Sequence, residues 1–167
     1  LHMNQTLSSA EKKEREGFFV KNRLLESEEV SLSYKSYAYV EMIEYYYSMS
    51  NMEKLEEYLR TLDLSILNDK ERSKVIEYMI MRDLIDEAYV AISVYGYTNI
   101  AIKRLVKLAD ILLESSSNFD SEKMLAMCYY IYEKKRASAV ILQYLVNNYQ
   151  QSTQILFDMW KCAIEME

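Results

Sequence analysis

The chain has 167 residues, half of them hydrophobic and 28% charged, which places it among globular sequences and not disordered ones. It has no proline, two glycines and 16 tyrosines, so it lacks the turn formers that a sandwich or barrel needs, and an all-α fold is predicted. A formal net charge of −6 argues against a nucleic-acid partner, because a duplex-binding surface concentrates Lys and Arg to displace counterions from phosphates.

In chain order, Leu1, His2 and Met3 (residues 1–3) read as a cloning remnant. Setting them aside removes the one histidine, the side chain whose ordinary pKa lies closest to neutral. Residues 4–32 are predicted as an N-terminal lead-in helix. The mixed charges from Glu11 to Glu16 form a solvated stretch before Phe18, Phe19, Val20, Leu24 and Leu25, with Gly17 as a weak point. Residues 33–167 are read as a helical-repeat domain, the whole chain being a single domain.

The first repeat helix is expected from Ser33 to Met49, with Glu41, Glu44 and Ser48 on one narrow stripe and apolar residues over the rest of its circumference. Such a helix is contacted on several sides. Asn51 to Leu62 follows. Asp69 is expected to cap a helix from 70 to 81, and Gly96 to end one over 84–95. A longer helix is expected to start at Thr98 and run to Glu114. Ser115 to Asn118 reads as a loop, with Asp120 capping a helix over 121–134. Helices over 137–149 and 152–166 complete a series of eight to nine. Lys134, Lys135 and Arg136 form the densest basic cluster and read as a C-terminal helix turn.

The uncharged run 137–157 is long enough to cross a bilayer, but Gln143, Asn147, Asn148, Gln150 and Gln151 interrupt it, so no membrane partner is expected. Cys128 and Cys162 lie 34 residues apart on apolar segments. They are read as buried free thiols in a reducing compartment, with the cytoplasm favoured.

A shift of 33 residues superimposes Ile43-Glu44-Tyr45 on Ile76-Glu77-Tyr78, and a further shift of 51 places Tyr129-Tyr130 over Tyr78-Met79 and Ala139 over Ala88. Three helical hairpins with one inserted helix, around 98–114, account for both shifts. Ala88 and Ala139 match the small residue of the second helix in the tetratricopeptide motif, and Tyr46 and Tyr130 match the late aromatic of its first helix. The chain thus resembles the tetratricopeptide-repeat class, whose period is about 34 residues. It departs from that motif at Ile43, Ile76 and Met127, where the motif has a small residue. The resemblance implies a right-handed α-solenoid that binds protein segments on the concave surface lined by its first helices. Placed by the motif, the lining residues are Tyr37, Glu44 and Tyr47, then Glu77 and Ile80, then Met124 and Ile131. The stretch from Tyr132-Glu133-Lys134-Lys135 to Asp158-Met159-Trp160-Lys161 is also similar to segments of very large uncharacterised clostridial proteins, which implies a fragment of a longer chain.

No phosphate-binding glycine loop, His-Glu-x-x-His, Cys-x-x-Cys or nucleophile elbow occurs. Glu41 and Glu44 are paired carboxylates on one helical face, but without histidine they read as a solvated stripe. No catalytic residue, metal site or cofactor is therefore expected. The function expected is a protein- or peptide-binding scaffold, with acidic groups beside aromatics suiting a basic or amphipathic segment. The alternative is a structural spacer that associates with itself, a homodimer through exposed stripes around Phe18 and Trp160. An enzyme with an unrecognised carboxylate site is the remote third reading.

Overall fold

The computed structural model describes residues 31–115, 117–149 and 153–165, which form eight α-helices and one turn of 3-10 helix, with no strand among them. The helices are α1 (Leu32–Ser48), α2 (Met52–Thr61), α3 (Asp69–Met81), α4 (Ile85–Tyr95), α5 (Ile102–Glu114), α6 (Ser121–Glu133), α7 (Ala139–Asn148) and α8 (Thr153–Glu165). The 3-10 turn, Leu64–Ile66, lies between α2 and α3. The lead-in helix expected over 4–32, with Gly17 and Phe18, lies outside the described residues as far as residue 30. The chain divides into two compact units, and the boundary falls inside α3, between Val75 and Ile76.

A chain with almost no glycine still has to leave each helix. It does so with left-handed residues that carry side chains: Ser50 (φ 53°), Asp83 (φ 58°) and Lys135 (φ 55°). At each of them the next N–H reaches back five residues: Asn51 to the Tyr46 carbonyl (3.1 Å), Leu84 to Met79 (2.9 Å) and Arg136 to Ile131 (3.3 Å). These are Schellman closures, which satisfy carbonyls orphaned at the helix end. Ser50 and Asp83 are 33 residues apart, the spacing of the first sequence shift, and Asp83 and Lys135 are 52 apart, one more than the second. The α1–α2, α3–α4 and α6–α7 links therefore share one turn. Gly96 ends α4 at φ 84°.

Polar side chains open the helices. Asn51 accepts from the Lys54 N–H (3.3 Å), Asp120 from Glu122 and Lys123 (3.0 and 3.1 Å), and Ser138 from Ile141 (3.2 Å). At α3 the cap is Asn68 and not Asp69. Asn68 accepts from the Glu71 N–H (2.9 Å) while Glu71 accepts from the Asn68 N–H (3.2 Å), a reciprocal capping box. Asp69 is the first helical residue and pairs with Arg72. The helix expected from Thr98 begins at Ile102 instead, because a turn closed by Ile100 N–H on the Tyr97 carbonyl (2.9 Å) comes first.

In the first unit α1 packs on α2 and on the 3-10 turn. Ser36, Ala38, Met42 and Ile43 are buried on α1, opposite Leu55 and Leu59 of α2. Three tyrosine rings close this core, Tyr58 lying 5.9 Å from Tyr39 and 6.0 Å from Tyr46 between centroids. Burial, with the Tyr39 and Tyr46 hydroxyls beside it, pushes the Tyr58 phenol far above its ordinary range. Its buried hydroxyl has no hydrogen-bond partner. A buried polar group without a partner is a net cost, so Tyr58→Phe is expected to raise the unfolding free energy by about 1 kcal/mol. The shift in urea midpoint measures it, and a loss of stability would show that the hydroxyl is solvated.

In the second unit α3 runs parallel to α5, and α4 to α6. Glu77 on α3 accepts from the Ala101 N–H before α5 (2.7 Å), and Asp83 after α3 pairs with Lys107 of α5 (2.6 Å). Asp110 of α5 meets Ser138, the cap of α7. The α4 row continues into α6, through Tyr89 with the Asp120 backbone and Lys123 with the Ser93 carbonyl. Leu105, Leu108, Ala109 and Leu112 of α5 are buried, and α5 packs on α4, α6 and α7. The helix expected as an insertion is thus an inner member of the core. Its presence moves α6, a first helix by its turn, into the row of α4, a second helix.

Candidate functional site

The exposed stripe of α1 is the strongest candidate surface. Tyr34, Tyr37, Glu41 and Ser48 are exposed and Glu44 is half-buried; the spacings of three and four put them on one face. Tyr34 and Tyr37 are 64% and 57% exposed, unusually open for rings of that size. The Glu41 carboxylate, through its charge first and then as an acceptor for the hydroxyl, followed by burial and last by the charge of Glu44, holds the Tyr37 phenol above its ordinary range. Glu44 is ion-paired with Lys74 of α3. Tyr47 is 43% exposed at the end of the stripe. This face can accept donors on carboxylates and present ring faces beside them, which suits a cationic or amphipathic partner.

The seven residues placed on one surface by the repeat motif are not equivalent. Tyr37, Glu44 and Tyr47 do lie on the α1 face. Glu77 instead holds the start of α5. That helix has no acidic residue in its own first turn, so the Glu77 carboxylate supplies the charge its N-terminal dipole favours. Ile80, Met124 and Ile131 are fully buried. They are core side chains and present no surface to a partner, which corrects the expectation for these three. On α6, Met124, Met127, Cys128 and Ile131 form one buried seam at spacings of three and four.

Most of the other tyrosines pack. Tyr97 and Tyr130 lie 5.2 Å apart, with the Tyr130 hydroxyl donating to the Thr98 carbonyl (3.4 Å). Tyr129 stacks on Tyr149 at 4.8 Å and 17°. Of Tyr45, Tyr46 and Tyr47, the middle ring turns to Tyr58 while Tyr47 reaches solvent, as a 100° step per residue requires.

Cys128 is free and buried, and burial, with Asp110 nearby, pushes its thiol up to about 12. A thiol that stays protonated at neutral pH is a poor nucleophile. Burial also raises the Asp110 carboxyl, against the Ser138 hydroxyl, which lowers it. Among the described residues no three His, Cys, Asp or Glu side chains come together in a way that could hold a metal ion, and no helix is long and apolar enough to cross a membrane. The Cys162 side chain lies outside what is described.

Residues 1–119 match the N-terminal family of unknown function DUF5717. The chain belongs to this family. Residues 121–167 match the C-terminal DUF5717 family, also of unknown function, so the two DUF5717 segments meet at Asp120, the cap of α6. No curated protein and no solved structure matches the chain. The DUF5717 segments are not separate bodies at this join, because α5 from the first packs on α6 and α7 from the second.

The exposed surface that sequence reasoning missed is the one on α4. Val90 and Val94 are 62% and 68% exposed. The signal was present as two β-branched apolar residues four apart, but Ile85, Ala88 and Ile92 also make α4 apolar on the opposite side.

Proposed function

We propose that this DUF5717 chain is a non-enzymatic protein-interaction module of a larger protein, holding a basic or amphipathic partner segment against the exposed face of α1. The observation that carries the reading is the stripe of Tyr34, Tyr37 and Glu41, where two open rings share one helical face with an exposed carboxylate. Open tyrosines supply contact area at low entropy cost, and a guanidinium or ammonium group satisfies ring face and carboxylate together. The wider architecture is read as a tetratricopeptide-like right-handed solenoid. The turn shared at Ser50, Asp83 and Lys135 and the parallel pairing of alternate helices support it.

A pull-down from a lysate of the source organism tests this, with Tyr37→Ala/Glu41→Lys beside the wild type. Neither side chain is buried, so the variant is expected to fold with an unchanged helical spectrum. It is expected to lose a partner that the wild type enriches. A partner retained equally by both removes the α1 face from consideration.

The second reading is a structural or self-associating spacer. It rests on α8, where Phe157, Trp160 and Ile164 are each about half exposed, with the Phe157 and Trp160 rings 5.8 Å apart. Such a stripe fits docking onto a neighbouring element or a second copy. A mass by light scattering that rises with concentration in the wild type and not in Trp160→Glu would favour this reading.

A further inference from the structure

A second candidate surface belongs to the second unit. Between α4 and α6 there is an open groove of about 200 Å³. Ile92 and Met127, both buried, form its floor, and Ser93, Gly96 and Ala126 form its sides. Its lining is mostly apolar, and Lys123 is the charged residue in it.

Side-chain contacts tie both ends of the groove. At one end the Tyr89 hydroxyl accepts from the Asp120 N–H (3.0 Å). At the other the Tyr97 ring packs on Tyr130, whose hydroxyl donates to the Thr98 carbonyl. One side is open at Gly96, where a Cβ would meet no atom within 4 Å. The outer edge of α4 continues the apolar surface through exposed Val90 and Val94.

Volume and charge together choose the occupant. Small-molecule sites are usually larger, about 300–1,000 Å³, and a groove of this size matches one leucine or phenylalanine side chain. Anchoring by a single buried side chain is how peptide segments are commonly held. Lys123 sits in the first turn of α6, where the helix dipole disfavours a cation. Its ammonium reaches the Ser93 carbonyl at 3.3 Å and is otherwise exposed, beside the groove. A carboxylate next to the anchoring side chain would meet that ammonium, the charged group of the lining.

We propose that the α4–α6 groove docks a protein segment through one aliphatic or aromatic side chain flanked by acidic residues. Its charge preference is opposite to that of the α1 face, so the two surfaces take different segments and the groove does not depend on the reading of α1.

The test is an NMR titration of the whole isotope-labelled chain with three peptides: acetyl-Glu-Glu-Leu-Glu-Glu-amide, its Leu→Ala counterpart, and acetyl-Lys-Lys-Leu-Lys-Lys-amide. The acidic leucine peptide is expected to shift the amides of Ser93, Gly96, Tyr97 and Ala126 in a saturable way. The alanine peptide is expected to lose those shifts, and the basic peptide not to produce them. Lys123→Glu is expected to weaken the acidic peptide by about fivefold or more, and Ala126→Phe, at an exposed position, to block it by filling the groove. Amide spectra of both variants check that they remain folded. Absence of groove shifts at millimolar peptide, equal shifts with the basic peptide, or unchanged binding by folded Lys123→Glu and Ala126→Phe would each overturn the proposal. Shifts confined to α1 would also count against it, while leaving the α1 face in play.

Discussion

Ile131→Ala is expected to lower the unfolding free energy by about 2–5 kcal/mol. Ile131 is 0% exposed on α6, on the same seam as Met124, Met127 and Cys128. Truncating it removes buried methyl and methylene groups and leaves a space that close-packed neighbours fill only in part. A residue lining an open surface would behave differently, with a stability change within about 0.5 kcal/mol and the effect confined to binding. The measurement is urea unfolding followed by Trp160 fluorescence, which reports the second unit, together with helical circular dichroism. A fall in midpoint at unchanged slope is the expected result. A change under about 0.5 kcal/mol would place Ile131 at a surface after all.

The second large effect is expected at Arg72→Ala, at about 2–4 kcal/mol. The Arg72 side chain is 14% exposed. Its Nε donates to the Leu64 carbonyl at 3.1 Å, a terminal nitrogen to the Leu67 carbonyl at 2.5 Å, and the other to Asp69 at 2.9 Å. These bonds staple the 3-10 turn to the first turn of α3, and removing the guanidinium takes a donor from the Leu67 carbonyl and leaves the Leu64 carbonyl with the Leu67 N–H alone. Arg72→Lys keeps the charge but not the planar fork, so it is expected to recover less than half of the loss. Thermal unfolding of both variants checks this. A lysine variant equal to the wild type would show that charge alone matters at this site.

Much of the fold was legible in the sequence, and specific residues show why. The polar stripe of Glu41, Glu44 and Ser48 located the outer face of α1 correctly, because a helix apolar elsewhere has only one side to leave in water. Asp120 and Gly96 marked a start and a stop, each through a local backbone effect that needs no tertiary information. Asn68 was missed as a cap because Asp69 beside it is an equally good capping residue, and the choice rests on Glu71 reaching back. An exposed candidate surface was legible only on α1. On α6 the run Met124 to Tyr132 is apolar almost all round, so periodicity could not say which side is buried. Motif alignment then put Met124 and Ile131 on the wrong side. It treated α6 as the counterpart of α1 and α3, whereas α5 displaces it into the row of α4. That displacement depends on packing between residues 24 to 32 apart in sequence, as between Glu77 and Ala101 or Tyr130 and Thr98, and no local pattern records it.

The join between the two family segments at Asp120 has a consequence for how such proteins can be cut and shuffled. The leucine face of α5 stands on one side of the join and its cover, α6 and α7, on the other. A boundary drawn there on sequence similarity therefore marks a unit of inheritance and cuts through a unit of folding. Gene fragments parted at that point would yield two halves with sticky, complementary faces, each suited to seek the other and neither to stand alone. Recombination that preserves the protein has to carry α5, α6 and α7 together.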